Sequence, residues 1–412
     1  MTSRAPAAGL PSALPLVTAG FVISFVLVGG GIDTVSVFLN ALAGATGWSR
    51  SSLSLAVSIG AVSAALSTPL VGAGIDRFGV RVPMTVGVIL LAVGFAILIG
   101  MQAAWHFAVA NIFLGAGFAA CALLPVTVAV TVLVPERTAF ALGVVAAGSS
   151  AGALVLAPTY QKLIESIGWR TAYGIGGTAV VLIPLPFILF ALPRGRLTAH
   201  RPPSHTHSDG PSLRQGLCKA GVLPLAGMMT LPGLAGFGLS VHLVPYLVGL
   251  GLAGTTAAAA LGATIGISAI GKIAGGFIAD RYGTLPTIRL ALVVWTAALV
   301  LLAYAAALPL LVSFVLLYGL ALGTQVAIIP AIALDVLGST RFGALFGTLQ
   351  LASMLASAVG PIASGLLFDA TGRYGGALAL WIAAMCAAAT IAFRMPAVPA
   401  LARLRSERGA TA

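Results

Sequence analysis

Two charged side chains stand inside runs of residues that are otherwise apolar. Asp33 ends the stretch VLVGGGID, residues 26–33, and Lys272 lies in IGKIAGG, residues 270–276. A charge in hydrocarbon costs at least about 2.5–3.5 kcal/mol on the insertion scale, and it faces a cavity or a partner. A lysine offers a compact positive charge with three donors. A carboxyl group holds its proton more tightly when desolvated and less tightly beside a cation, so this acid and base suit anion binding and proton exchange. His242 and Tyr246 flank Pro245 and read as a bulky gate element or a proton relay. Gln325, after GLALGT, reads as a donor to an anion or as a helix–helix hydrogen bond. Asn40, Asn111 and Gln350 are weaker candidates, and His106 beside Trp105 marks an outer interface.

The elements that carry these groups follow from composition. Of the 412 residues, 7% are charged and 59% hydrophobic, against roughly a quarter charged in a soluble domain. Apolar runs of about 20 residues, enough to cross a bilayer, recur from Leu16 to Phe393. The chain reads as an all-α polytopic membrane protein. Twelve spans are expected at roughly 16–40, 52–74, 82–102, 106–132, 138–163, 171–192, 221–249, 256–279, 286–307, 310–335, 342–367 and 375–394. The first run is about 25 residues long with another span close behind, which favours a retained helix over a cleaved signal peptide.

The net charge of +12 reports topology. With both termini cytoplasmic, only Arg50, Lys162, Arg170 and Arg373 lie on the far side and Lys272 within the membrane, leaving the other sixteen of 21 Lys and Arg on the cytoplasmic side. That is the positive-inside bias, and it argues against a nucleic-acid partner. Cys121, Cys218 and Cys386 imply no disulfide framework. No nucleotide-binding loop, metal-ligand cluster or nucleophile constellation is present, so neither cofactor nor enzymatic chemistry is expected.

The chain repeats itself. GAGIDRFG (72–79) aligns with GFIADRYG (276–283), pairing Gly72 with Gly276, Asp76 with Asp280, Arg77 with Arg281 and Gly79 with Gly283, each 204 residues apart. The same offset takes Arg137 to Arg341, Gly143 to Gly347 and Gly168 to Gly372. Residues 193–219 are the one long polar stretch, read as a cytoplasmic linker whose His200, His205 and His207 are solvated in preference to metal-binding. The expected organisation is therefore a six-helix bundle over 1–192, the linker, and a second six-helix bundle over 220–412. Such parallel repeats place a substrate site at their interface near the midplane. Asp33 maps onto Phe237 and Lys272 onto Thr68, so neither charge belongs to the shared scaffold.

These features resemble the major facilitator superfamily, whose loop motif Gly-x-x-x-Asp-Arg-x-Gly, with a basic residue following, is met by Gly72, Asp76, Arg77, Gly79 and Arg81. The second copy has Leu285 where Arg81 maps, and Arg289 follows one turn later. An Asp at a helix end can accept from the free N–H groups of a neighbouring helix start, or pair with Arg137 or Arg341. Contacts of that kind close a cytoplasmic gate.

Within the superfamily, four segments resemble the bacterial monocarboxylate transporter-like and oxalate–formate antiporter-like branch: residues 37–60, 142–173, VHLVPYLVGLGL (241–252) and GPIASGLLFDATGRY (360–374). The resemblance implies that the span 8 cation, here Lys272, holds a substrate carboxylate. Animal members carry a span 1 lysine and a span 8 acid one turn before the cation; here Asp33 and Ser268 occupy those places. The implied function is secondary active transport of a small organic anion, foremost a monocarboxylate, with proton symport or anion exchange. Its setting would be a bacterial inner membrane, and the working unit a monomer. The alternatives are a proton-coupled drug or organic-cation exporter, with Asp33 binding the cation, and a transporter-like membrane sensor.

Overall fold

The computed structural model describes residues 10–134, 138–192, 221–337 and 342–395. Among these, twelve helices are long and apolar enough to cross a membrane: span 1 Leu14–Thr46, span 2 Arg50–Phe78, span 3 Arg81–Gly100, span 4 Ala104–Leu133, span 5 Ala141–Ile167, span 6 Trp169–Ala191, span 7 Val222–Gly249, span 8 Gly254–Tyr282, span 9 Thr284–Leu302, span 10 Leu308–Leu337, span 11 Leu345–Thr371 and span 12 Gly375–Arg394. All twelve expected spans are present. Several run past their expected ends, because polar end residues such as Arg50 and Arg77 extend a helix once its backbone bonds are satisfied within it.

Local signals set the helix ends. Ser49 has extended backbone, and its Oγ accepts from the Ser52 amide at 3.2 Å, capping span 2. The repeat is visible in the backbone itself. Positive φ occurs at Gly47 and Gly251, at Gly79 and Gly283, and at Gly168 and Gly372, each pair 204 residues apart. Residues with a Cβ rarely adopt that conformation, so glycine ends the same helices in each half.

The chain divides into two compact units, one of 1–204 with 253–262, the other of 205–252 with 263–412. Span 8 therefore begins in the first unit and continues in the second, where Lys272 lies. Glycines bring helix backbones close together. In the first unit, an ideal Cβ on Gly29 of span 1 would meet the Ser149 carbonyl oxygen at 2.5 Å and Gly152 Cα at 2.6 Å. Gly148 and Gly152 of span 5 meet the carbonyls of Phe21 and Phe25 in return. In the second unit, Gly360 of span 11 meets the Leu234 carbonyl of span 7. With lipid as solvent, such backbone approach is a principal source of helix association.

Candidate functional site

Asp33 stands at a discontinuity in span 1. Residues Ser24–Ile32 form a π-helix, and the Asp33 amide closes it with a 2.9 Å bond to the Val28 carbonyl, five residues back. Thr34 Oγ1 then donates to the Gly30 carbonyl at 2.6 Å, and α-helix resumes at Val35. The three glycines explain why the widened turn fits. Gly29 faces the span 5 backbone, Gly30 faces Leu156 with the Tyr160 hydroxyl 3.3 Å from where its Cβ would be, and Gly31 faces the Phe118 ring of span 4. Span 7, the equivalent helix, runs unbroken from Val222 to Gly249 through Phe237. The half that has the carboxylate also has the break. Asp33 is half-buried there.

Lys272 is half-buried on span 8. At about 1.5 Å rise per residue it lies roughly 12 Å along the helix from Asp280. Its backbone is pressed against span 10: a Cβ on Gly323 would meet the Ser268 carbonyl and approach the Lys272 nitrogen to 2.7 Å. Thr324 Oγ1 donates to the Gly271 carbonyl at 3.1 Å. The next residue, Gln325, is buried and turns to span 7, its Nε2 donating to the Met228 carbonyl at 3.4 Å. Lys272 and Gln325 thus belong to helices in direct contact. Asp33 belongs to the other unit.

His242 and Tyr246 meet in one aromatic cluster of the second unit. His242 is wholly buried, with Nε2 3.0 Å from the Pro361 carbonyl and Nδ1 3.1 Å from the Tyr374 hydroxyl. A carbonyl only accepts, so Nε2 carries the proton, and in the neutral ring Nδ1 accepts from Tyr374. Tyr246 donates to the Leu302 carbonyl at 3.0 Å and lies near the Tyr374 and Trp381 rings, 5.8 and 6.5 Å between centroids. Nothing in the sequence marks Tyr374 and Trp381 beyond the aromatic residues of TGRY and LALW. The first unit answers with Phe38, the position equivalent to His242, stacked on Tyr173 at 3.9 Å and tilted against Tyr160 at 5.3 Å.

The repeated motif residues sit at helix ends. Gly79 and Gly283, with φ of 80° and 94°, turn the chain after spans 2 and 8. Gly72 and Gly276 have open space where a side chain would go. Asp76, Arg77, Asp280 and Arg281 are exposed, and the two arginines lie over the adjacent Phe78 and Tyr282 rings at 5.1 and 5.8 Å. Arg81 donates to the carbonyls of Leu189 and Leu192 at the end of span 6. Arg289 does the same for span 12, donating to Ala392, Phe393 and Met395 at 3.0, 3.4 and 2.8 Å. Leu189 and Phe393 are repeat equivalents, so Arg289 supplies from one turn later the contact that Leu285 cannot make. Arg137 and Arg341, the expected partners of the motif acids, lie outside the described residues. So does the stretch 193–219 with its three histidines.

The family model of the Major Facilitator Superfamily matches residues 21–284 and 267–412. Over 302 residues the chain is 28% identical to Monocarboxylate transporter 12 of Rattus norvegicus, a match covering 66% of this chain and 62% of that protein. The chain thus spans less than two thirds of that relative's length. It is 25% identical over 361 residues to YcxA, an uncharacterized MFS-type transporter of Bacillus subtilis, covering 82% and 83% of the two. A bacterial homologue of the human lysosomal transporter Spinster, crystallised inward-facing and unoccupied, superposes with a TM-score of 0.69 at 14% identity, covering 95% of this chain and 97% of that one. That likeness is one of fold. With twelve membrane spans, the repeated motif and these matches, the chain belongs to the Major Facilitator Superfamily, and it is similar there to monocarboxylate transporters.

Proposed function

We propose that this protein is a secondary active transporter of a small organic anion, foremost a monocarboxylate, working by alternating access with proton symport or anion exchange. One observation carries the reading: Lys272, a half-buried cation in an apolar span, has its backbone seated against span 10, while the equivalent residue of the other half is Thr68. Lys272 holds the carboxylate as a compact charge with several donors. Asp33, at the break in span 1, is the coupling or counter-charge group, and Gln325 lies on the neighbouring helix as a further donor. His242 and Tyr246 belong to a gate element of the second unit. Asp76, Arg77, Asp280 and Arg281, with Arg137 and Arg341, form the gate on the cytoplasmic side. The similarity to monocarboxylate transporters and the positive-inside distribution support substrate class and orientation, with both termini in the cytoplasm of a bacterial cell and the protein acting as a monomer.

Uptake into proteoliposomes tests this directly. Radiolabelled lactate and pyruvate are offered with and without an imposed pH gradient, and lactate, pyruvate, oxalate and cationic drugs are offered as competitors. Uptake displaced by carboxylates is the expected result. Displacement by cations alone identifies an exporter of organic cations. Saturable binding without uptake identifies a sensor.

A further inference from the structure

The seam between spans 8 and 10 differs from its counterpart in the first unit, and the difference falls on Lys272. Both units share one contact: Gly319 would place a Cβ 2.7 Å from the Thr264 carbonyl, and its equivalent Gly115 meets the Gly60 carbonyl. In the second unit, three further glycines lie along this seam. Gly271 meets the Leu320 carbonyl, Gly323 meets the Ser268 carbonyl and the Lys272 nitrogen, and Gly275 would put a Cβ 2.7 Å from Thr324 Oγ1. The positions equivalent to Gly271, Gly275 and Gly323 are Ser67, Val71 and Ala119, all with side chains. These glycine contacts thus bracket Lys272, whose equivalent in the other half is the uncharged Thr68.

Three glycines in two helices are not neutral. Each weakens its helix by about 1 kcal/mol relative to alanine, so their presence calls for a compensating contact. Here that contact is backbone against backbone. A lysine on a four-carbon stem points many ways unless its Cα is held, and a held Cα shortens the range its ammonium covers. We propose that Gly323, with Gly271 and the Thr324 hydroxyl, is a positioning residue for Lys272: the close seam sets how far Lys272 reaches from span 8. This rests on the reading that Lys272 holds the substrate carboxylate. An added methyl at Gly323 meets main-chain atoms, which cannot rotate aside, so it pushes span 8 and Lys272 away together.

The experiment compares Gly323→Ala with Gly115→Ala, which makes the same kind of backbone clash in the first unit. In proteoliposomes carrying the folded fraction, Gly323→Ala should raise KM for lactate or pyruvate about tenfold or more, with a smaller change in maximal rate. Gly115→Ala should lower the folded yield and leave KM within about twofold. Thr324→Val removes only the bond to Gly271 and serves if the glycine variants do not fold; it should raise KM about two- to fivefold. A second readout needs no substrate. With Cys121, Cys218 and Cys386 replaced by serine, Lys272→Cys is labelled with a water-soluble thiosulfonate. Adding Gly323→Ala should change the labelling rate at least about fivefold. Unchanged KM and unchanged labelling overturn the positioning role. Normal KM in Lys272→Ala, with the labelling shift present, overturns the carboxylate role of Lys272 and leaves the positioning intact.

Discussion

The amide nitrogen of Asp33 lies 2.9 Å from the carbonyl oxygen of Val28. A five-residue bond of this kind widens the helix and then ends it, so the carboxylate sits at the break where span 1 turns and restarts. π-Turns inside helices are frequent at functional sites. The coincidence of charge and break in one half alone gives Asp33 a geometry that a scaffold residue would not need.

Asp33→Asn keeps the size of the side chain and removes its proton. Uptake driven by an imposed pH gradient should fall by about tenfold or more, while exchange of labelled for unlabelled substrate at equal pH persists. Unaltered gradient-driven uptake and pH dependence would remove Asp33 from the coupling step.

Gly29 and Gly31 are two residues apart and face different neighbours. A Cβ at Gly29 would meet the main chain of span 5, whereas one at Gly31 would meet the Phe118 ring. The ring can shift and the main chain cannot, so Gly29→Ala should lose about 1–3 kcal/mol more stability than Gly31→Ala. Thermal unfolding in detergent ranks the two, and equal losses would contradict the contact geometry.

Lys272→Ala should abolish carboxylate-specific uptake. Lys272→Arg retains the charge but replaces a compact ammonium with a planar fork, so it should keep measurable transport with KM raised about tenfold. Transport by Lys272→Ala at the normal KM would end the assignment.

His242→Phe installs the residue that the first unit uses at this place, Phe38. The ring still packs, but the bonds from His242 to the Tyr374 hydroxyl and the Pro361 carbonyl are lost. A loss of about 1–3 kcal/mol is expected from losing these two buried bonds, with the pH profile of uptake unchanged. A flattened profile would instead put His242 on the proton route.

Arg289→Ala strips three carbonyls at the end of span 12 of their donor. Hydrogen bonds to a charged group are worth about 1.5–3 kcal/mol each where buried, and these are partly exposed, so a total loss of about 2 kcal/mol is expected. Arg81→Ala should produce a similar loss at span 6. If Arg289→Ala were as stable as the parent protein, the two arginines would not be equivalents.

Some relations between the halves lie along the chain and others only in the fold. Asp76 and Asp280, Gly79 and Gly283, and the Leu285 departure were all visible as letters at one offset, because a repeat is a relation along the chain. The replacement of Arg81 by Arg289 needed the carbonyls of span 12 to be in place before its meaning was clear. Likewise, Pro361 and Tyr374 bond His242 across 119 and 132 residues, and no local pattern links them. In the sequence Gly323 is one of many small residues in a span; its contact with the Lys272 nitrogen distinguishes it.

By itself, then, the sequence determined the medium, the number of spans, the twofold repeat and two in-span charges, Asp33 and Lys272, that lack a charged counterpart in the other half. These follow from hydropathy, period and the high free energy of an ion in hydrocarbon. The tertiary structure alone decided that span 1 opens into a π-helix at Asp33, and that spans 8 and 10 touch backbone to backbone around Lys272. Glycine permits either outcome and imposes neither, since its conformation is set by what the neighbouring helix brings against it.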